Sequence, residues 1–520
     1  MLLIYPPVAR STEPPLGIAR LAGFLRSRGQ EAACLDLNQE GQAFLLSREV
    51  ETAGLDTWSR GALRRREASL ALLRSPRALE DESRYTRAVL DLNRALKAAS
   101  PEGILVSLTD YQDARLSPAR KADLLLQAKG YASSPFFPLF SRRIEEGLAF
   151  CADGRVGLSL VFLSQALSSF AIMGYLAAVH PELSVYLGGG LVSSWVAQGG
   201  LSVGEDFGGL VAALIPGRGE DGLSKLLSLD DGVPSPRPRA ARPPRPEALP
   251  DFGDFSGLGY FSPASIIPYN FSSGCPWRRC RFCPERAEAS PYAACPSGAA
   301  IADIRELRTR YAPRLFHFTD NEIAPLYLRA LVRDPPGAPW YGFARFTPLL
   351  ADRDFCLGLA ASGCVMLQLG LESADQGTLD ALEKGTELGQ IEAALRNLRE
   401  AGVSVYLYVL FGTPAEDRAS ALVTRDFLAA HSEEIAFLNI ALFNMPLAGP
   451  DAAMQATRAF YEGELSLYCQ FKHPRGWNRP EIRAFIRDEL ETIPDVKAIM
   501  SRTPPHFTSN HAAFFSPKYS

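Results

Sequence analysis

The sequence predicts an α/β protein made of two consecutive wound regions. The first is a doubly wound sheet of Rossmann or flavodoxin type; the second is a partial TIM-type (β/α)6 barrel, followed by a mostly helical C-terminal extension. Three observations predict this. Short apolar runs alternate with stretches of helical period over residues 1–230, and again over 265–450. A proline-rich stretch divides the two series, which sets a linker at 231–264 and leaves 451–520 as the extension. Glycines and acidic residues recur just after the apolar runs, where the strands of such sheets present their ligands.

In the first region, residues 2–5 read as a buried strand. Residues 14–28 read as a helix with Leu16, Ile18, Leu21, Phe24 and Leu25 on its apolar side, and 31–36 as a strand ending at Asp36. A helical insertion over about 45–150 interrupts the rhythm. Within it, 50–100 is rich in Arg, Leu, Ala and Glu, 104–108 suits a strand, and 109–150 is less regular. The βα order resumes with a strand at 156–162, a helix at 165–180 and a strand at 184–187, followed directly by Gly188-Gly189-Gly190. A short strand at 212–216 leads into Gly217-Arg218-Gly219-Glu220 and a helix at 221–229. Glycines after a strand let a ligand approach the backbone, and they equally make a tight turn without one.

Residues 233–251 carry too many prolines for helix or central strand, and their arginines read as the solvated face of a stiff linker. Beyond it, residues 265–269 run into a cysteine-rich loop. Strands follow at 314–318, 340–346, 364–371, 403–411 and 435–443, with helices at 301–311, 388–401 and 419–431. Asp320, Glu372 and the loop after Gly412 fall at carboxyl ends of strands, where barrels of this kind keep their sites. Tyr406 and Tyr408 alternate on one strand and are candidates for the barrel interior, with core packing expected for at least one. The tail 503–511 suits either a wrap over the barrel mouth or packing on the outside.

The net charge of −4 gives no electrostatic footprint for nucleic acid. Nine scattered cysteines fit a reducing compartment rather than a disulfide scaffold. No apolar run is long enough to span a bilayer, and the N-terminal run is broken by Pro6 and Pro7 too early for a signal peptide. A cytoplasmic, monomeric protein is expected.

Three cysteines stand apart from the scatter: Cys275, Cys280 and Cys283, in the run Gly274-Cys275-Pro276-Trp277-Arg278-Arg279-Cys280-Arg281-Phe282-Cys283. Gaps of four and then two residues suit three thiolates on one 4Fe–4S cluster, with one iron left open to bind a further molecule. Trp277 and Phe282 suit a water shield, and Arg278, Arg279 and Arg281 suit charge compensation. The competing reading is a structural zinc site completed by Cys295, although no second Cys-x-x-Cys or His pair follows.

This run, with one more residue in its first gap than usual, resembles the cysteine motif of radical S-adenosylmethionine enzymes, in a variant of their cobalamin-binding branch. Gly370-Leu371-Glu372-Ser373-Ala374 with Lys384-Gly385, and Phe411-Gly412-Thr413-Pro414-Ala415-Glu416-Asp417, resemble two further signatures of that family. The resemblance implies S-adenosylmethionine on the open iron, with its ribose or amine accepted by Glu372 helped by Ser373. It further implies contacts from Phe282, Asp320, Arg345, Gln368, Phe411 and Gly412. Arg345, Tyr406 and Tyr408 are the candidates for a catalytic role; none is assigned one.

Across residues 1–230 the order of elements resembles the cobalamin-binding domain of the same enzymes. The resemblance implies a corrinoid over the strand ends, near Pro7, Asp36, Asn38 and Ser159, with Ser164 and Gln165 toward its lower face. Gly188, Gly189, Gly190, Gly217, Gly219 and Glu220 complete the set. No Asp-x-His-x-x-Gly motif occurs, so no protein histidine is expected on the cobalt. The implied activity is cobalamin-dependent radical methyl transfer to an unactivated carbon of a small-molecule, lipid or peptide substrate, with an electron donor of flavodoxin or ferredoxin type. A cobalamin-dependent radical cyclase or rearrangement enzyme is the alternative within the family. A non-catalytic cobalamin- or metal-binding regulator is the alternative outside it.

Overall fold

The computed structural model describes residues 1–151, 153–227, 248–452 and 456–519. They form two compact units, Met1–Ser265 with Tyr461–Ser466, and Ile266–Phe460 with Leu467–Ser520. The expected boundary at 230/231, the linker's first part and the end of the helix expected at 221–229 lie outside the described residues. Among the described residues no helix is long and apolar enough to cross a membrane.

The first unit is built on β1 (Leu2–Tyr5), β2 (Ala33–Asp36), β3 (Arg155–Ser159), β4 (Ser184–Gly188) and β5 (Ala213–Ile215), all parallel. Leu2, Leu3 and Ile4 are fully buried, as a strand covered on both faces requires. The spatial order is β2-β1-β3-β4-β5. This is the flavodoxin-like order, and its reversal opens a crevice at the carboxyl ends of β1 and β3.

Two local expectations change. The segment expected as a strand at 104–108 does not join this sheet: Ile104–Val106 pairs antiparallel with Tyr111–Asp113. Ser107 turns the chain, its N–H on the Asp110 carbonyl at 2.9 Å and its Oγ accepting from Asp110 N at 2.8 Å. The part expected to be irregular holds helices Lys121–Lys129 and Phe137–Leu148, the second burying Leu139, Phe140 and Ile144.

The last part of the expected linker is a strap on the first unit. Phe252, Phe255 and Phe261 are buried. Asp251 N donates to Ala19 O at 2.9 Å, and Arg26 pairs with Asp251 at 2.8 Å and Asp254 at 2.7 Å. The aromatic residues of the strap, which its prolines masked in the sequence, supply the reason.

The second unit holds β6 (Ile266–Tyr269), β7 (Leu315–Phe318), β8 (Trp340–Ala344), β9 (Cys364–Glu372), β10 (Ser404–Phe411) and β11 (Phe437–Leu442). All six are parallel and adjacent in chain order, as a partial (β/α)6 barrel requires. Phe343, Gln368, Tyr406 and Phe437 lie on one row of the register.

The extension is helical only in its later part. Met445–Pro446, Ala456–Ala459 and Tyr468–Phe471 make a small antiparallel sheet before helices Arg479–Phe485, Pro494–Arg502 and Thr508–Ala512. The tail does not reach the barrel mouth. Ser516 Oγ donates to Val365 O at 2.8 Å and lies 3.0 Å from Ser404 Oγ. Val365 and Ser404 begin β9 and β10, so the tail seals the amino end of the barrel.

Candidate active site

The cysteine loop leaves β6 and is fixed at its root by Asp320. One Asp320 oxygen accepts from Phe271 N at 2.9 Å; the other accepts from Ser272 N at 2.8 Å and Ser272 Oγ at 2.7 Å. Asp320 therefore fastens the loop, and the expectation of a cofactor contact from it is corrected. Gly274, at φ +73°, comes so close to Pro291 that a Cβ would lie 2.6 Å from its carbonyl oxygen. The loop then interlocks with the Lys384-Gly385 turn. Arg281 N donates to Leu382 O at 3.0 Å and Trp277 Nε1 to Glu383 O at 3.0 Å. The indole fills the place of a Cβ on Gly385, which would lie 2.2 Å from it.

Around the thiols sits a buried charged lattice. Arg345 lies over the Trp277 ring at 4.4 Å, donates to Cys280 Sγ at 3.5 Å and to the Lys384 carbonyl, and has its Nε 3.6 Å from Glu322. Glu322 in turn lies 3.8 Å from Cys275 Sγ. Lys384 Nζ donates to Glu372 Oε1 at 2.8 Å and stands 5.6 Å above the Phe282 ring. Burial pushes the Cys280 thiol up and that of Cys283 up to about 11, so ligation of a metal must displace protons. The three-thiol donor set with two neighbouring cations fits an iron–sulfur cluster, whose ligated form carries negative charge.

The cations differ from those expected. Arg281 is drawn to Asp451 and to Glu383, the latter at 3.5 Å, and Arg279 stacks on Trp277 at 4.9 Å. Arg345 and Lys384 take the place beside the thiols. The zinc reading loses its fourth ligand, since the buried Cys295 thiol donates to Pro296 O at 3.7 Å. Among the described residues no three His, Cys, Asp or Glu side chains converge as ligands of a single ion.

Glu372 reaches its place through a bulge. The pairing of β9 with β10 skips between Gly370 and Glu372, and Glu372 has φ +64°. The carboxylate folds back over Gly370, where a Cβ would lie 2.3 Å from Oε1 and 2.8 Å from Lys384 Nζ. The alternation of faces along β9 thus ends at Gly370. Of the Glu372 oxygens, only Oε1 has a partner among the described residues.

The other residues expected at the S-adenosylmethionine site, and the two tyrosines, take the following places. Ser373 is buried, 3.3 Å from Thr424 Oγ1, and accepts from Asp375 N at 3.1 Å. Gln368 is 0% exposed below the mouth, donating to the Tyr408 hydroxyl at 3.1 Å while its Oε1 has no partner. Phe411 is buried against Phe485 at 5.6 Å. Phe282 packs on the cluster of Phe443, Met445, Ala452 and Cys469. Of the two tyrosines, Tyr406 is core, stacked between Tyr408 at 5.0 Å and Phe437 at 5.7 Å. Tyr408 is half-buried beside Phe343 at 5.1 Å. Gly412, at φ +90°, opens a loop whose N–H donates to the buried Glu416 carboxyl. Glu322, Lys384 and Glu416 were not singled out as site residues in the sequence; for Lys384 the signal was present in the Lys384-Gly385 pair.

In the first unit most of the expected cofactor residues serve the fold. Asp36 caps the following helix through Gln39 N at 3.0 Å and accepts from the Tyr260 hydroxyl at 2.8 Å. Asn38 accepts from Ala9 N at 2.7 Å and donates to Ser11 Oγ at 3.0 Å. Gln165 accepts from Val161 N and Phe162 N, both at 3.0 Å, and donates to Pro6 O at 2.7 Å. Pro7 is buried against Gly41. Gly189, at φ +109°, passes so close to Leu160 that a Cβ would lie 2.4 Å from its carbonyl oxygen. Gly188 and Gly219 are held tight by Ile215 and Leu21, and buried Glu220 lies 4.0 Å from Arg20.

Three positions keep room: Ser164, Gly190, and Gly217, whose missing Cβ faces open space, while Ser159 at the end of β3 is buried. Ser164 donates to Val8 O at 2.8 Å, bridging the segments that follow β1 and β3. It also lines a cavity of about 700 Å³ with Leu163, the Tyr111–Asp113 strand, Arg115, Arg120 and Tyr461. That wall came from the insertion and from a distant C-terminal segment, neither visible as a binding element in the sequence.

Residues 269–428 match the family described as the Radical SAM superfamily. No curated protein matches the chain in sequence. Among solved structures the chain is similar to the radical S-adenosylmethionine methyltransferase TsrM from Kitasatospora setae with cobalamin and a 4Fe–4S cluster bound. That alignment has a TM-score of 0.52 at 17% identity, over 88% of this chain and 77% of the other. TsrM with tryptophan substrate and the analogue aza-SAM bound aligns with a TM-score of 0.55 at 15% identity, over 96% of this chain and 89% of the other. At these identities the likeness is one of fold. Residues 269–428 carry the match to the Radical SAM superfamily, and the chain has the fold seen in TsrM.

Proposed function

We propose that the chain is a cobalamin-dependent radical S-adenosylmethionine methyltransferase that acts on an unactivated carbon of a small molecule. The observation that carries the reading is the buried lattice of Arg345, Lys384, Glu322 and Glu372 around the three cysteines at the carboxyl ends of the strands. Cys275, Cys280 and Cys283 would hold a 4Fe–4S cluster, and the free oxygen of Glu372 would accept from the amine or ribose of S-adenosylmethionine. Ser164, Gly190 and Gly217 would face a corrinoid at the crevice of the first unit. When bound, these groups supply a 5′-deoxyadenosyl radical and a methyl group.

The part of the chain's own residues is positioning. Arg345 hydrogen-bonds the Cys280 sulfur and offsets its charge; hydrogen bonds to cluster sulfurs raise the reduction potential. Lys384 fixes the Glu372 carboxylate, so one oxygen stays oriented while the other is free to accept. Trp277 packs its indole against Gly385 and under Arg345, which ties the cysteine loop to the Lys384-Gly385 turn. An electron donor of flavodoxin or ferredoxin type, a monomeric state and a cytoplasmic location complete the proposal.

The test is anaerobic reconstitution with iron, sulfide and cobalamin, followed by reductant and methyl-labelled S-adenosylmethionine. Formation of 5′-deoxyadenosine together with label in a product supports the reading. Deoxyadenosine without label transfer favours the cyclase or rearrangement alternative, and neither product sinks both.

A further inference from the structure

We propose that His473 and Trp477 are positioning residues, which hold the 412–417 loop in the shape that receives the adenosyl end of S-adenosylmethionine. The inference rests on the functional reading above and extends it to a segment no signature covers.

The contacts are specific. Glu416 is 0% exposed, and its Oε2 accepts from both Gly412 N and Trp477 Nε1, the latter at 3.0 Å. Its Oε1 is buried and has no hydrogen-bond partner among the described residues. His473 fastens the next residue of the loop. Its Nδ1 accepts from Arg475 N at 3.1 Å and Trp477 N at 3.3 Å, which leaves the proton on Nε2 for donation to Thr413 O at 2.8 Å.

Packing closes the arrangement. Trp477 and Phe411 both meet the Phe485 ring at 5.6 Å. Ile482 lies so close that a Cβ on Gly412 would be 2.5 Å from its Cδ1. The loop is thus held at Phe411, Gly412, Thr413 and Glu416 by one segment, residues 473–485. A loop at the mouth of a barrel is otherwise free to sample many shapes, and holding it in one shape removes an ordering cost from ligand binding.

The experiment compares the full-length reconstituted chain with Trp477→Phe, which keeps the ring packing and removes the N–H. Binding of S-adenosylmethionine, read by equilibrium dialysis, is expected to weaken about tenfold, in line with loss of a hydrogen bond to a buried carboxyl. KM is expected to rise in parallel, with kcat within about twofold and iron content unchanged. Glu416→Gln keeps an acceptor for both donors, so the hydrogen bonds from Gly412 N and Trp477 Nε1 are expected to survive and the loop to keep its shape. Hydrogen exchange of segment 411–417, without any ligand, is expected to quicken in Trp477→Phe and not in Glu416→Gln. Unchanged affinity, or unchanged exchange of that segment, overturns the inference. If the parent chain itself takes up no S-adenosylmethionine, the functional reading fails, and the exchange data alone decide whether the clasp exists.

Discussion

The two units treat polar residues at strand ends in different ways. In the first unit Asp36, Asn38 and Gln165 have their hydrogen-bonding capacity taken up by nearby backbone and side chains. In the second unit the buried charges around the cysteines are only partly matched: Glu372 keeps an oxygen, and Arg345 touches a thiol. A buried charge left incomplete is costly, so its presence at a strand end points to a ligand more strongly than a polar residue alone does. The lesson is that residue type at a strand end is shared by both regions, and so is unmet valence, since buried Glu220 Oε1 of the first unit also lacks a hydrogen-bond partner among the described residues; what separates the second unit is that its partly matched charges adjoin three cysteines.

The sharpest way to break this contrast is Cys280→Ala. Iron content after reconstitution and 5′-deoxyadenosine formation are both expected to fall to background, because two thiolates do not hold the cluster in place. Activity retained at full iron content would remove the cluster assignment. Next in size is Lys384→Met, which leaves Glu372 as an unpaired buried carboxylate. A loss of about 3–5 kcal/mol in the stability of the second unit is expected. Urea unfolding read at Trp277 or Trp340 measures it, and the double variant with Glu372→Gln is expected to recover most of it. Equal stability of the single variant and the parent would mean that the lattice is already solvated.

Much of this was legible in the sequence because periodicity and spacing report backbone. All five strands of the first sheet and all six of the barrel fall within a few residues of the apolar runs that predict them. The cysteine trio and the Gly370–Ser373 stretch located the mouth of the barrel. What stayed hidden depends on contacts between distant segments. The bulge that turns Glu372 over Gly370 leaves no mark in local composition. Glu322 sits two residues beyond Asp320, and only the fold shows that Asp320 faces backbone while Glu322 faces Arg345 and Cys275. Likewise the strap carrying Phe252, Phe255 and Phe261 was obscured by the prolines before it.

A third prediction sharpens the contrast inside the first unit. Gly189→Ala would push a Cβ to 2.4 Å from Leu160 O at φ +109°. A loss of about 3 kcal/mol is expected from the clash and the strained backbone together. Gly217→Ala faces open space at φ +76° and is expected to cost only about 1 kcal/mol. If the glycine triplet served a corrinoid and not the fold, Gly189→Ala would leave thermal unfolding unchanged and lower only corrinoid uptake. If Gly217 does face the corrinoid, its substitution is expected to show the reverse pattern.

The smallest expected effect compares one buried carboxyl in each unit. Burial pushes Asp36 up to about 7 and Glu416 up to about 8, from ordinary values of 3.8 and 4.5. For an acid with a raised folded pKa, the folded state holds its proton longer than the unfolded chain does. Stability is then fully present below the ordinary value and declines as pH rises through the folded value. Asp36 is therefore expected to weaken the first unit between about pH 4 and 7, and Glu416 the second between about pH 4.5 and 8. Asp36→Asn and Glu416→Gln are each expected to flatten the slope in the unit that carries them, read by hydrogen exchange of its own core strands. Glu416→Gln alone is expected to flatten the pH dependence of the 411–417 segment as well, because that carboxyl accepts from the loop itself. A slope unchanged by Glu416→Gln would mean that another group governs the second unit in this range and that folded Glu416 ionises near its ordinary value.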